Sequence, residues 1–499
     1  AISLITDFYT GYMMCLFVAL YTFYVVFSKD IPLKEAILKL GKVALFALIG
    51  VGLAAFWLLP VFSALLESKA SAGSTFAWSW NPVNDLVAMP QKFILGSFGE
   101  KEWGDSKALP QLFIGGLGLF GLCTFFAKRE ITLRKKLAAT VVLLVLLLSF
   151  SIQGFDQIWH MGQRPVGFYF RNSWVANSFM LVLASESLMQ WKDEFRLDEF
   201  LVAVLGFGSI LVVSTLRSLQ YVENSQKILA FIIWTIILLA FFFRRAERVR
   251  RLQLTAGVVI VELMVSSFVG FRRAPYFIGN AGLQEQMEFA MAFDKEGYSH
   301  QSTFTRMEMH KGLSHANFPI AFGYNGASHF TSSLEHSLIE EMSHLGLPTS
   351  QSVANYTDRN VILDSLFGVS RFMMDGDEKR VYADVRGMYA KEGTMKNFTV
   401  YRNPYAFSLG YLTNENTATN IVFEKNQPVT NLNQLLQVIG LSGTNALTEV
   451  NVGEPVTTNL TKGQDKYTLT NEAEPAKIEW KFNLQPNKLY FVEIPERQA

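Results

Sequence analysis

Three places in the chain set reactive side chains where a membrane enzyme would use them. Asp7 opens a long apolar run and is followed by Phe8, Tyr9 and Tyr12. A carboxylate at that depth can take the proton of an acceptor hydroxyl or hold a metal beside a phosphate. It can equally be the N-cap of the helix that starts there. The second place is the segment holding Trp159, His160, Arg164, Phe168, Tyr169, Phe170, Arg171 and Asn172. Arg171 stands at the outward-facing start of a helix, where a guanidinium and the open N–H groups of the first turn both favour a phosphate. The aromatics beside it offer flanks for an isoprenoid or a sugar face. The competing reading is an arginine that reaches lipid headgroups from within an aromatic girdle. The third place is Glu262, midway along the last apolar run. A carboxylate at mid-bilayer costs at least ~2.5 kcal/mol on insertion scales. It must therefore face a substrate path, a cavity or a neighbouring helix.

Other chemistries find no support. There is no phosphate-binding loop, no zinc spacing and no nucleophile elbow in a usable context. His310, His315, His329, His336 and His344 are close only in sequence. His336 and His344 lie eight positions apart on one expected helix, too far to share a metal, so they read as surface histidines.

The elements that position these residues follow from hydropathy and charge. Half of the 499 residues are apolar and only 17% are charged, against about 25% in a typical soluble domain, which excludes a single soluble globule. Residues 1–271 carry 24 Lys+Arg and 18 Asp+Glu (net +6), whereas 272–499 carry 20 and 25 (net −5). The small total charge thus hides a basic apolar half and a mildly acidic polar half. The basic residues fall in short clusters between apolar runs, which argues against nucleic acid as a partner. Runs long enough to span a bilayer, roughly 17–25 residues, are expected at 8–27, 43–66, 110–127, 137–153, 172–189, 199–216, 228–243 and 252–270.

Loops 28–42, 128–136, 190–198 and 244–251 hold 16 Lys+Arg in 41 residues, and the alternate loops 8 in 79. The positive-inside bias puts the first set in the cytoplasm and the polar half outside. In the long outer loop 67–109, Phe76–Trp80, Leu86–Met89 and Phe93–Phe98 suit short helices lying in the interface, with Trp78 and Trp80 in the aromatic belt. Both cysteines, Cys15 and Cys123, sit in apolar runs. A polar half built without cysteine suits a bacterial surface.

Beyond Arg272 the period changes. Leu283–Glu296 and Ser333–Leu345 read as amphipathic helices, the second with a capping box from Ser332 to Glu335. Asn397–Arg402, Lys466–Thr470, Ile478–Leu484 and Leu489–Ile494 alternate like strands. The fold expected is a polytopic α-helical membrane bundle of about eight spans (1–271), then an external α+β segment (272–425) and an external β-rich module (426–499). The chain starts at Ala1 and stops in strand-like text, and reads as an internal piece of a longer protein.

The order and spacing of several short stretches resemble the YfhO-like bacterial membrane proteins. They are Asp7–Met13, Trp57–Pro60, Leu109–Gly115 and Phe168–Arg171, then Tyr324–Ser328 running to Ser332–Ser333, Leu366–Val369 and Asn403–Gly410. The resemblance implies a GT-C-like glycosyltransferase that takes a sugar from an undecaprenyl-phosphate donor at the outer face. The acceptor it implies is a cell-envelope polymer such as lipoteichoic or teichoic acid, in the plasma membrane of a Gram-positive bacterium. It also implies a catalytic carboxylate in a first external loop, a region that would precede Ala1. Carried onto this chain, Asp7 is the candidate catalytic carboxylate, a supporting acidic residue or metal ligand beside the phosphate. Arg164, Arg171, His160, Tyr9, Tyr169 and Glu262 are the candidate substrate contacts. A transporter or flippase of lipid-linked glycans and a structural envelope-polymer-binding protein are the rival classes. Alternating access usually comes with repeated halves, and these spans show no internal repeat.

Overall fold

The apolar runs fold as helices, and the computed structural model describes residues 1–67, 78–99, 102, 108–162, 165, 167–191, 196–217, 219, 221–242, 248–273, 280–299, 304–310, 317–331, 334–350, 353–357, 359–375, 381–410, 412, 421–450, 453–463, 467–471, 474–486 and 488–491. Two compact units divide the chain, one of residues 1–66 and 73–277, the other of 67–72 and 278–499.

The first unit is helical throughout: α1 (Ile2–Thr6), α2 (Phe8–Phe27), α3 (Leu33–Leu53), α4 (Ala55–Glu67), α5 (Gly115–Ala127), α6 (Leu133–Ser151), α7 (Gln153–Trp159), α8 (Ser173–Met189), α9 (Leu197–Leu216), α10 (Asn224–Phe242) and α11 (Arg248–Arg273). Among the described residues, five stretches are long and apolar enough to cross a membrane: Phe8–Phe27, Leu33–Leu53, Leu197–Leu216, Asn224–Phe242 and Leu252–Arg273.

The expected run 43–66 is corrected. Its helix begins ten residues earlier, at Leu33, and stops at Ala54, with α4 as a separate piece. Lys34, Glu35, Lys39 and Lys42 mask the early turns from a hydropathy scan, although Glu35 and Lys39 pair across one turn at 2.6 Å. α5 has only 13 residues, about 20 Å at 1.5 Å per residue, which is short of a ~30 Å hydrocarbon core. α8 has 17, and α6 opens on Arg134, Lys135 and Lys136 behind a Thr132 cap.

Packing follows from small residues and aromatics. α5 lies along α8, and a Cβ on Gly121 would sit 2.8 Å from the Ala184 carbonyl, so only glycine permits this approach. One apolar core joins α2, α5, α6 and α8 through Met13, Phe125, Val142, Phe150 and Phe179. A second joins α5, α9 and α10 through Phe120, Phe207, Trp234 and Ile237. The basic ends are clamped by ion pairs. Lys128 meets Glu199 at 3.3 Å and lies over the Trp191 ring, Arg134 meets Asp30 at 2.6 Å, and Lys135 meets Glu186 at 2.7 Å.

The outer loop also departs from expectation. Among its described residues there is no interfacial helix, only a 3₁₀ turn at Met89–Phe93 that is buried inside the unit with Ile94 and Leu95. Gly96 is left-handed (φ +62°) and a Cβ there would lie 2.6 Å from Val269, which is how the loop fits against α11. Trp78 and Trp80 remain exposed and stack edge-on with Phe155 at 5.1 and 6.2 Å.

The second unit holds a four-stranded sheet of β1 (Arg306–His310), β2 (Val369–Asp375), β3 (Ala390–Met395) and β4 (Phe398–Arg402), in the order β1-β2-β4-β3. β1 runs parallel to β2 and the other pairs are antiparallel, with Phe372 opposite Tyr401. Its core of Leu363, Phe372, Met374 and Val385 also takes Leu432 and Leu436 from the helix Pro428–Val438, which lies past residue 425. Arg359, wholly buried, ties the unit together through Asp364 at 2.9 Å, Asp384 at 2.8 Å and the Tyr389 hydroxyl at 3.0 Å.

The helix Asn280–Lys295 matches the first amphipathic run closely. The helix expected from Ser333 starts at His336 instead, with Glu335 as N-cap and no side-chain cap bond, while Ser332 and Ser333 lie outside the described residues. Of the run 478–484 only Lys477–Glu479 pairs in a ladder, with Val456–Thr458.

Candidate functional site

The residues singled out at the ends of the chain's first and fifth expected spans come together. Asp7 caps α2. One of its oxygens accepts from the backbone N–H of Tyr9 at 3.1 Å and of Thr10 at 3.3 Å, and the other from the Thr10 hydroxyl. The Thr10 hydroxyl holds the Asp7 carboxyl below the usual carboxylate range, against a smaller opposing effect of burial. The carboxylate is therefore ionised and acceptor-only near neutrality.

Tyr9, the second residue of α2, is the floor of the site. The Arg171 guanidinium lies 5.3 Å over its ring and 5.9 Å over that of Phe168, and the His160 ring is 6.1 Å away. His160 is buried, with Nδ1 2.8 Å from the Asp156 carbonyl and 3.4 Å from its carboxylate. Arg171 is exposed and anchored from behind, Nε donating to the Phe168 carbonyl at 3.1 Å and Nη2 to that of Gly167 at 3.4 Å. Tyr169 is half-buried against the α2/α6/α8 core. Arg164 lies outside the described residues. Tyr9, Thr10, Met13, Met14, Arg171 and Trp174 enclose a pocket of about 270 Å³. Its lining is mainly apolar with one cation at the rim, the composition that fits an isoprenoid chain ending in a phosphate.

The loop that delivers Arg171 is strained. Met161 (φ 56°), Phe168 (φ 49°) and Phe170 (φ 55°) are left-handed, as are Gly162 and Gly167. Each left-handed non-glycine costs about 1 kcal/mol or more, and such strain collects at ligand sites. Asn172, fully buried at the N-cap of α8, makes no cap bond, and neither of its amide atoms has a hydrogen-bond partner among the described residues.

Glu262 does not line this pocket. It is 1% exposed, and both its oxygens accept from the Gly116 N–H, at 2.9 and 2.8 Å. Its oxygens thus cap the N-terminal end of α5, the helix-to-helix alternative for this residue. His336 and His344 mark the two ends of one helix, and the described residues contain no group of three metal-ligating side chains.

Sequence reasoning missed a second polar centre. Lys92, wholly buried, reaches Glu102 at 2.6 and 2.8 Å and the Ser97 carbonyl at 2.7 Å, and lies 4.5 Å over the Tyr221 ring. Burial pulls the Lys92 ammonium down to about 8, against the opposing pull of Glu102. The one available signal was Lys92, the single charge in the stretch Met89–Phe98.

An array of apolar helices with a separate sheet-bearing unit, and a cationic, aromatic pocket at one helix start, define a polytopic membrane protein. The family described as bacterial membrane protein YfhO matches residues 1–499, the whole length, and the chain belongs to that family. No curated protein and no solved structure matches it.

Proposed function

We propose that this chain is the donor-binding part of a GT-C-type membrane glycosyltransferase. It transfers a sugar from a polyprenyl-phosphate donor to a cell-envelope polymer such as lipoteichoic or teichoic acid, at the outer face of a Gram-positive plasma membrane. The observation that carries the reading is Arg171 at the rim of an apolar, aromatic pocket, held by a strained loop at a helix start. The guanidinium and the first turn of α8 cradle the leaving phosphate. Met13, Met14 and Trp174 flank the first isoprene units. The acceptor hydroxyl attacks the anomeric carbon, the sugar–phosphate C–O bond breaks, and the polyprenyl phosphate leaves with the electron pair. The hydroxyl proton passes to a carboxylate, for which Asp7, bonded to Thr10 of the pocket lining, is the candidate. His160 and Tyr9 shape the sugar end, and Arg164 adds a second cation from the same loop. In this reading α5, α6 and α8 join the five long spans in an eight-span bundle, which preserves the alternation of basic and non-basic loops and leaves the second unit outside to present the polymer.

The test is transfer in proteoliposomes holding the full-length protein, a defined undecaprenyl-phosphate sugar and polymer acceptor. Labelled polymer is the expected result. Donor binding with movement across the bilayer and no product establishes a carrier instead. No donor binding at all removes the reading.

A further inference from the structure

We propose that Gln111 and the buried Lys92–Glu102 pair are positioning residues for the Arg171 site, fixing the backbone on both sides of Arg171 from within the bundle. The proposal rests on the reading of Arg171 as the phosphate contact, and it follows a continuous hydrogen-bonded path. Glu102 accepts from Lys92 with both oxygens and from the Gly99 N–H at 3.1 Å. The same Glu102 oxygen that takes Gly99 accepts from the Gln111 side chain at 3.2 Å. The Gln111 backbone then grips α8 twice, its N–H donating to the Ser173 hydroxyl at 3.2 Å and its carbonyl accepting from Asn177 at 3.0 Å. The Ser173 hydroxyl donates in turn to the Phe170 carbonyl at 2.6 Å. Arg171 is therefore bracketed by Phe170, a left-handed residue, and by Ser173, the first residue of α8, and both belong to one network.

Fold stability alone does not account for this arrangement. An apolar pair of similar volume would serve a core as well as a buried ion pair, because desolvation offsets the attraction. What a charge-assisted network supplies is a single geometry, and a displacement of ~1 Å at a reacting group costs on the order of 100-fold in rate. Arg273, which also reaches this loop, holds the Gly96 and Phe98 carbonyls and pairs with Glu223 at 2.6 Å. Glu102 is left with Lys92 on one side and Gln111 on the other.

The experiment uses the full-length protein in nanodiscs, with Cys15→Ser and Cys123→Ala and a nitroxide attached to a cysteine at position 168, where Phe168 is exposed. Gln111→Leu cuts the path between Glu102 and Gln111 and leaves both Gln111 backbone contacts to α8 available. The Lys92→Met/Glu102→Leu double variant removes the pair without stranding a buried charge. Both variants should keep the melting midpoint and make the label more mobile. Undecaprenyl phosphate binding, measured in the same discs without the label, should weaken roughly ten-fold, the effect of one lost charge-assisted alignment. In an Arg171→Ala background Gln111→Leu should change binding less than about two-fold, because the two act through one contact. An unchanged label spectrum overturns the proposal, as does an equal loss of binding with and without Arg171. If the label responds but Arg171→Ala binds as wild type does, the positioning path stands and the phosphate reading of Arg171 falls.

Discussion

Replacing Arg171 tests the proposed donor site most directly. Of the five N–H groups of a guanidinium, two are spent on the Phe168 and Gly167 carbonyls, which leaves three for the pocket. A two-point grip on a phosphate is thus available without releasing the loop. Charge-assisted hydrogen bonds are worth about 1.5–3 kcal/mol each, but the side chain is exposed and solvent discounts such pairs toward ~1 kcal/mol. Two bonds at the discounted value give about 2 kcal/mol, so Arg171→Ala should raise the donor Kd roughly 30-fold. Arg171→Lys keeps the charge but offers a single point of contact and loses the two carbonyl anchors, so it should cost about ten-fold rather than being silent. The assay is undecaprenyl phosphate binding in nanodiscs at fixed ionic strength, followed by transfer in proteoliposomes. Donor KM should rise with both variants while acceptor KM stays put. Lys and Ala variants within two-fold of wild type would make Arg171 a headgroup anchor and move the donor site elsewhere.

Three further outcomes are expected. Glu262→Leu leaves the Gly116 N–H without its acceptor and should lower stability by about 1–3 kcal/mol, read as a fall in melting midpoint with donor KM unmoved; Glu262→Gln, which keeps an acceptor, should lose less, and a shifted KM would return Glu262 to the substrate. Burial pushes the Glu308 carboxyl up to about 7, against hydrogen bonds from Ala327 and Ser328. Its folded pKa lies above the unfolded value, so it opposes folding increasingly from about pH 4.5 to 7. The full chain should therefore be more stable at pH 5 than at pH 8, by about 2–3 kcal/mol from this group, read as a higher melting midpoint, and Glu308→Gln should flatten that slope. A cysteine at Asn459 should react with an impermeant thiol reagent on intact cells and one at Arg248 only after lysis; labelling of both would overturn the proposed topology.

Most helix positions, and Asp7 and Arg171 as separate candidates, were legible because these are local signals, whereas the meeting of the two residues through Tyr9 was not. An Asp before an apolar run caps a helix, and an arginine after Phe-Tyr-Phe marks a helix start whatever lies elsewhere. Three further features were not. The break at Ala54 leaves no trace in hydropathy, since Leu53 and Ala55 are as apolar as the helices they separate. The Met89–Phe98 segment carries the same mixture of apolar and polar residues whether it lies in the interface or is buried in the bundle. What buries it is Lys92 finding Glu102 and Gly96 fitting beside Val269, contacts that local patterning does not encode. The fate of Glu262 likewise depends on Gly116, a residue with no side chain to advertise it.

The bond between Glu262 and Gly116 spans 146 residues of sequence, and that distance has a meaning in time. A ribosome adding about 5–20 residues per second takes roughly 7–30 s to travel from one partner to the other. Throughout that interval α5 has left the ribosome with the positive end of a helix too short for the bilayer and no carboxylate to meet it. The N-terminal end of α5 therefore gains its Glu262 partner only once α11, the last helix of the unit, has been made.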